Sequence, residues 1–107
     1  MMDKKTEQLE LMPDEMIEKA AECLKVMAHP VRLRMVNILM QGDFAVHEMA
    51  RLCQTSPNQT CEHLRLLQNH GLLSGERCGR TVHYKIVHPR LPRLLRCVRE
   101  SCQILKS

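Results

Sequence analysis

The sequence predicts a single, mainly α-helical domain with one small β-hairpin. The chain has 107 residues, enough for one hydrophobic core, and Phe44 and Tyr84 are its only aromatic residues. Such a core is built from Leu, Val, Ile, Met and Cys, and the helical spacing of these residues favours helices over a β-sandwich. Because a core of this size is thin, we expect a partner subunit to cover part of the surface.

The predicted domain begins after a short arm. Residues 1–12 show no apolar periodicity and are predicted to form a flexible arm, which leaves residues 13–107 as the domain. Apolar residues then recur at helical spacing from Met16 to Ala28. This pattern predicts a first amphipathic helix that begins at Pro13.

A proline separates the first helix from the second. His29 is expected to end the first helix because a residue before proline avoids the helical region, and Pro30 suits the first position of the next helix. The second helix is predicted to run to about Gln41 and to stop at Gly42. Residues 46–52 then predict a short third helix.

The clearest local signal marks the start of a fourth helix. Ser56 offers a hydroxyl at the N-cap, Pro57 suits the first helical position, and Gln59 completes a capping box. Residues 54–55 form the preceding turn, and Gly71 is expected to end the helix. A short helix, a tight turn and a second helix make a helix-turn-helix, whose second helix reads the major groove of DNA.

A hairpin and a last helix complete the chain. Residues 72–76 and 81–86 are strand-like, and residues 77–80 form a basic tip between them. A last helix is predicted to open at His88-Pro89, with an apolar stripe of Leu91, Leu94, Leu95, Val98, Cys102 and Leu105. The predicted fold class is therefore a winged helix-turn-helix, with the order α-α-α-α-β-β-α.

The fourth helix has an inner and an outer face. Thr60, Leu64 and Leu67 are expected to pack inward. The polar outer face of an isolated helix is usually only solvated, but here the short helix before it and the basic hairpin after it favour DNA contact. The predicted DNA-binding residues are Ser56, Asn58, Gln59, Cys61, Glu62, His63, Arg65, Arg77 and Arg80.

The charge distribution also favours a polyanionic partner. The formal net charge is +4, and Glu76 is the only acidic residue between Arg65 and Arg99. The N-terminal segment has no apolar run long enough for a signal peptide or a membrane span. We therefore expect a cytoplasmic protein with no membrane partner.

Four stretches together resemble the ArsR/SmtB family of bacterial winged helix-turn-helix repressors. They are residues 24–33, 56–67, 71–73 and 79–86. The resemblance implies a homodimer that represses a promoter by binding an inverted-repeat operator in double-stranded DNA. The first and last helices would join the subunits, through Ile17, Leu24, Met27, Leu94, Leu95 and Val98. Cys61 and Glu62 depart from the family's common Ser and Gln, so the operator sequence does not carry over.

The family's two frequent metal sites can be compared with this chain. At the start of the third helix, the positions of the usual thiolate pair hold Ala45 and His47. At the last helix, the positions of the usual acidic and His ligands hold His88, Arg90, Ser101 and Ile104. Neither set completes a metal shell, so no metal site is predicted at these positions.

Cysteine chemistry is therefore the predicted route to release from DNA, by a thiol-reactive species or a soft metal ion. A thiol-sensing branch of the family uses one Cys in the second helix, where this chain has Asn37, and one near Cys102. The candidate thiol sensors are Cys23, Cys97 and Cys102. The alternative is that these thiols only fill apolar space, as is expected of Cys53.

Other functional classes have less support. A Gly-rich phosphate loop, paired carboxylates and a Cys–His–Asn/Asp set are all missing from the sequence, so no enzyme activity is predicted. One alternative is a cysteine-dependent redox or metal-handling protein on a winged-helix scaffold. Another is a winged-helix module that binds proteins rather than DNA.

Overall fold

The computed structural model describes residues 7–106, with side chains as far as Gln103. Residues 1–6 of the predicted arm, Ser107 and the side chain of Leu105 lie outside the described residues. The elements are α1 (Asp14–Met27), α2 (Pro30–Leu39), β1 (Phe44–Ala45), α3 (Val46–Cys53), α4 (Pro57–Asn69), β2 (Leu73–Cys78), β3 (Thr81–Ile86) and α5 (Leu91–Lys106). The predicted order of helices and hairpin is confirmed.

One element is missing from the prediction. Phe44 and Ala45 form the short strand β1, which pairs antiparallel with β3 and gives a three-stranded sheet of order β1-β3-β2. Two residues carry no periodicity of their own, and this strand exists only because Tyr84 and His83 lie opposite it. The sheet ties the start of α3 to the hairpin.

The core lies where α2, α3, α4 and the sheet meet. Met35, Met49, Leu64 and Leu67 are fully buried there, and Leu91 adds the first residue of α5. The predicted inward face of α4 is confirmed, because Thr60, Leu64 and Leu67 are all 0% exposed. The inner face of α4 therefore fixes this helix to the rest of the domain.

The last helix begins three residues later than predicted. The Nδ1 atom of His88 accepts the backbone N–H of Arg90, so His88-Pro89 forms a turn before the helix rather than its first residues. Helical hydrogen bonding starts where the backbone N–H of Leu94 donates to the carbonyl of Arg90. Pro92 fits the first turn of α5 because the N–H groups there have no partner within the helix.

Two glycines shape the hairpin. Gly79 has a φ of +66° at the tip, a left-handed conformation that glycine adopts without strain. Gly75 lies opposite Tyr84, and a Cβ there would come within 3.2 Å of the Tyr84 ring. The absence of a side chain at Gly75 thus lets the aromatic ring lie against strand β2.

Candidate nucleic-acid interface

The first turn of α4 is built by the predicted capping box. The Oγ atom of Ser56 accepts the backbone N–H of Gln59 at 3.1 Å, and the Gln59 side chain accepts the backbone N–H of Ser56 at 3.4 Å. Pro57 occupies the first helical position, and the first turn contains no acidic residue. The partial positive charge of this helix end is therefore not neutralised by a nearby carboxylate, which suits the approach of a phosphate.

The turn before α4 is held by local hydrogen bonds. Gln54 takes a left-handed conformation with a φ of 54°, and the backbone N–H of Thr55 donates to the Ala50 carbonyl at 3.0 Å. The Oγ1 atoms of Thr55 and Thr60 lie 2.7 Å apart, and Thr60 Oγ1 also donates to the Ser56 carbonyl. These contacts fix the angle between α3 and α4.

Most of the predicted DNA-binding residues of α4 lie on its exposed side. Ser56, Asn58, Gln59, Glu62 and Arg65 are exposed, and Cys61 is half-buried. The outer side of α4 is therefore open to solvent along its first two turns.

The hairpin brings a second group of cations close to α4. Arg77 and Arg80 are exposed on the hairpin, which we call the wing. Arg80 lines a shallow groove together with His47 of α3 and Pro57 of α4. The wing tip and the first turn of α4 therefore belong to one continuous surface.

His63 differs from the other predicted DNA-binding residues. It is half-buried, and its Nδ1 atom lies 3.2 Å from a terminal nitrogen of Arg32, while its ring centroid lies 4.9 Å from that of His29. Burial lowers the pKa of His63 below its ordinary value of 6.5, and the charges of His29 and Arg32 lower it further against the opposing effect of Glu62. His63 thus faces α2 rather than open solvent.

Sequence reasoning missed this contact between helices. It predicts His29-Pro30 only as a helix boundary, although the His29 side chain accepts the backbone N–H of Val31 and caps α2. Arg32 has no predicted role. The sequence signal for this contact is that two His residues and one Arg residue fall at neighbouring helices. His29 and Arg32 lie at the start of α2, and His63 lies on α4.

The residues predicted at a dimer interface are placed unevenly. Ile17, Leu24, Leu94 and Val98 are 49%, 55%, 41% and 48% exposed, which is high for large apolar side chains. Leu95 is half-buried against the core. Met27 does not belong to this exposed set, because it is only 5% exposed and packs in the core of its own chain. The last turn of α1 lies on the core and Cys23 just before it packs against the core as well, whereas residues 14–22 are exposed.

The cysteines differ in exposure. Cys53 is buried as predicted, and burial raises the pKa of its thiol against the opposing charge of Arg34. Cys23 is half-buried, whereas Cys78, Cys97 and Cys102 are exposed. No disulfide joins these cysteines, and no three His, Cys, Asp or Glu side chains in the described part of the chain are grouped to hold a metal ion.

The chain has relatives among transcriptional regulators. No family model matches it. It is 31% identical over 83 residues to the HTH-type transcriptional repressor SmtB of Mycobacterium tuberculosis, a match that covers 78% of this chain and 62% of the relative. The chain therefore spans less than two thirds of the length of this curated relative. None of the helices described between residues 7 and 106 is long and apolar enough to cross a membrane.

Solved structures show the same fold. The antimony-specific transcriptional repressor AntR is 25% identical, with a TM-score of 0.78 and 96% of each chain covered. A homodimeric winged helix-turn-helix DNA-binding domain from Mycobacterium bovis is 23% identical, with a TM-score of 0.77 over 89% of this chain and 91% of that one. The predicted winged helix-turn-helix fold is thereby confirmed.

Proposed function

We propose that this chain, which belongs to the ArsR/SmtB family of winged helix-turn-helix proteins, is a DNA-binding transcriptional repressor. The observation that carries the proposal is the surface formed by α4 and the wing. The first turn of α4 is exposed and free of acidic residues, and Arg65, Arg77 and Arg80 are exposed beside it. Phosphates and base edges in a major groove fit this combination of polar side chains and cations.

The proposed repressor acts as a homodimer. The apolar side chains of Ile17, Leu24, Leu94 and Val98 would lose contact with water if α1 and α5 of two subunits packed together. Two α4 helices could then enter successive major grooves, which are roughly 34 Å apart, on an inverted-repeat operator. The homodimeric state of the Mycobacterium bovis domain supports this arrangement.

Release from the operator is proposed to occur through thiols. Cys97 and Cys102 are exposed on α5, and Cys23 is half-buried on α1, so these thiols lie on the two helices assigned to the dimer interface. Oxidation there, or capture of a soft metal ion, would alter the packing of α1 and α5 and hence the spacing of the two α4 helices. The antimony specificity of AntR supports a soft inducer of this kind.

A salt titration of binding to operator DNA tests the repressor function. Each phosphate contact adds about 0.9 to the negative slope of log affinity against log salt. We expect Arg65→Ala and Arg80→Ala to weaken binding and to lower that slope by about one unit per lost contact, with the melting temperature unchanged. Arg93→Ala is the matched control, because it removes the same charge from an exposed position on α5.

The same titration separates the alternatives. A redox or metal-handling protein, or a module that binds only proteins, would show no steep loss of DNA affinity with added salt. If Arg65→Ala and Arg80→Ala bind DNA like Arg93→Ala, the surface of α4 and the wing is not the DNA-binding surface.

A further inference from the structure

Arg32 lies at a junction between three helices. It belongs to α2, and its Nε atom donates to the carbonyl oxygen of Val26 in the last turn of α1 at 2.6 Å. A terminal nitrogen of the same guanidinium lies 3.2 Å from Nδ1 of His63 on α4. One half-buried side chain therefore connects the end of α1 with the middle of α4.

The chemistry of this contact fixes the protonation state of His63. The guanidinium of Arg has only donors and stays charged at any ordinary pH, so Nδ1 of His63 must accept. The proton of a neutral His63 is then on Nε2. Protonation of Nδ1 would replace the acceptor by an N–H donor that faces another donor, and would place two cations side by side.

The surroundings of His63 oppose its protonation. His29, at the junction of α1 and α2, contributes a ring at 4.9 Å, and its own Nδ1 is occupied by the backbone N–H of Val31. Arg32 approaches from α2, and Glu62 is the acidic neighbour on α4 itself. The pKa of His63 lies below its ordinary value of 6.5, so this ring is neutral at neutral pH.

We propose that Arg32 is a positioning residue that holds α4 at its DNA-binding orientation relative to α1 by donating to His63. The idea rests on the proposed repressor function for its DNA readout. The two hydrogen bonds of Arg32 connect α1, which is assigned to the dimer interface, with α4, which is assigned to DNA binding. Protonation of His63 breaks its hydrogen bond with Arg32 and releases α4 from Arg32. Because its surroundings lower the pKa of His63, the midpoint of this release lies below pH 6.5.

The first experiment measures operator affinity between pH 7.5 and pH 5. His63→Asn keeps an acceptor near the position of Nδ1 but does not titrate, whereas His63→Leu removes the acceptor. We expect the native chain to lose affinity as the pH falls, by about tenfold for each subunit, the size of one charge-assisted hydrogen bond. His63→Asn should show a flatter pH profile than the native chain, whatever its affinity at pH 7.5. His63→Leu and Arg32→Gln should bind weakly throughout.

His70→Asn is the matched control on the same helix. Nε2 of His70 lies 3.5 Å from a carboxylate oxygen of Glu22 on α1, so His70 is a second histidine of α4 that contacts α1. His70→Asn should keep the loss of affinity at low pH. An unchanged pH profile in His63→Asn would overturn the proposal.

A second readout does not need DNA. The pKa of His63, followed by proton NMR of its ring, should rise in Arg32→Gln because a neighbouring cation is lost. In the native chain, amide signals along α4 and in the last turn of α1 should titrate together with His63. The positioning role of Arg32 would be overturned if pH-dependent shifts were confined to His63, or if Arg32→Gln left the pKa of His63 unchanged. If no form binds DNA while these signals behave as expected, the repressor function fails and the Arg32 contact stands.

Discussion

Substitution of Ser56 separates the role of this residue in helix stability from its predicted role in DNA binding. In Ser56→Ala, the backbone N–H of Gln59 loses its acceptor at 3.1 Å. Water can reach this exposed site and replaces part of the bond, so the cost is about 1 kcal/mol of unfolding free energy. For a domain of this size, that corresponds to a fall in melting temperature of about 4–8 °C.

Ser56→Asp is the informative partner of that change. Asp is about as good an N-cap as Ser, and a carboxylate at a helix N-terminus gains about 0.3–1 kcal/mol from the helix dipole. We therefore expect Ser56→Asp to be at least as stable as the native chain, and Ser56→Ala to be less stable than both. A negative charge at the start of α4 would, however, repel the DNA backbone.

The expected order of DNA affinity is different. A like-charge contact at a protein surface costs between about 1 and 4 kcal/mol, so the carboxylate that Ser56→Asp places near a phosphate lowers affinity at least about fivefold. A dimer carries two such helices, which raises the loss to at least about 25-fold. Ser56→Ala adds no charge and should lose much less affinity than Ser56→Asp.

Thermal melts at one protein concentration and DNA titrations by fluorescence anisotropy at one salt concentration measure the two orders. A fixed protein concentration matters because dimerisation shifts the melting temperature. If Ser56→Asp binds DNA as tightly as the native chain, the start of α4 does not face the phosphates. If Ser56→Ala melts like the native chain, the capping box does not stabilise the helix.

The remaining predictions concern the dimer and the thiols. Val98→Asp and Leu24→Asp should each convert the dimer to a monomer, as measured by sedimentation at micromolar concentration. Val87→Asp is the control, because Val87 is 45% exposed but lies outside α1 and α5, and it should leave the dimer intact. A dimer that survives both interface changes would contradict the assignment of α1 and α5 to the interface. A persulfide donor should lower the operator affinity of the reduced chain at least tenfold and leave that of the Cys97→Ser/Cys102→Ser double variant unchanged. Equal affinities of the reduced chain, the treated chain and the treated double variant would mean that these cysteines are only packing residues.

Local chemistry explains which elements could be predicted from the sequence. The start of α4 depends on Ser56, Pro57 and Gln59, which are neighbours in the chain, and the structure confirms that capping box. The wing tip depends on Gly79 and the short loop around it, and it is also predicted. In both cases the residues that form the structure lie within one turn of one another.

The contacts that were missed depend on residues far apart in the sequence. A helical wheel places His63 on the polar side of α4, but Arg32 and His29 from other helices cover it. Met27 belongs to the apolar stripe of α1, yet it is buried because the last turn of α1 rests on the core. Periodicity shows which residues share a face but not how far along the helix that face is covered.

The uneven burial of α1 and α5 bears on how a signal could reach α4. Of α5, Leu91 is buried in the core and Leu95 packs against it, whereas Leu94 and Val98 remain exposed. In the proposed dimer, contacts with the partner subunit therefore help to set the position of α5. Oxidation or metal capture at Cys97 would shift that helix without disrupting the core. The inner face of α4 is fully buried, so α4 moves together with α2, α3 and the sheet rather than by itself. An inducer at α1 and α5 would act by changing the distance between two intact reading helices, and Arg32 would keep each helix aligned with the end of its own α1 during that change.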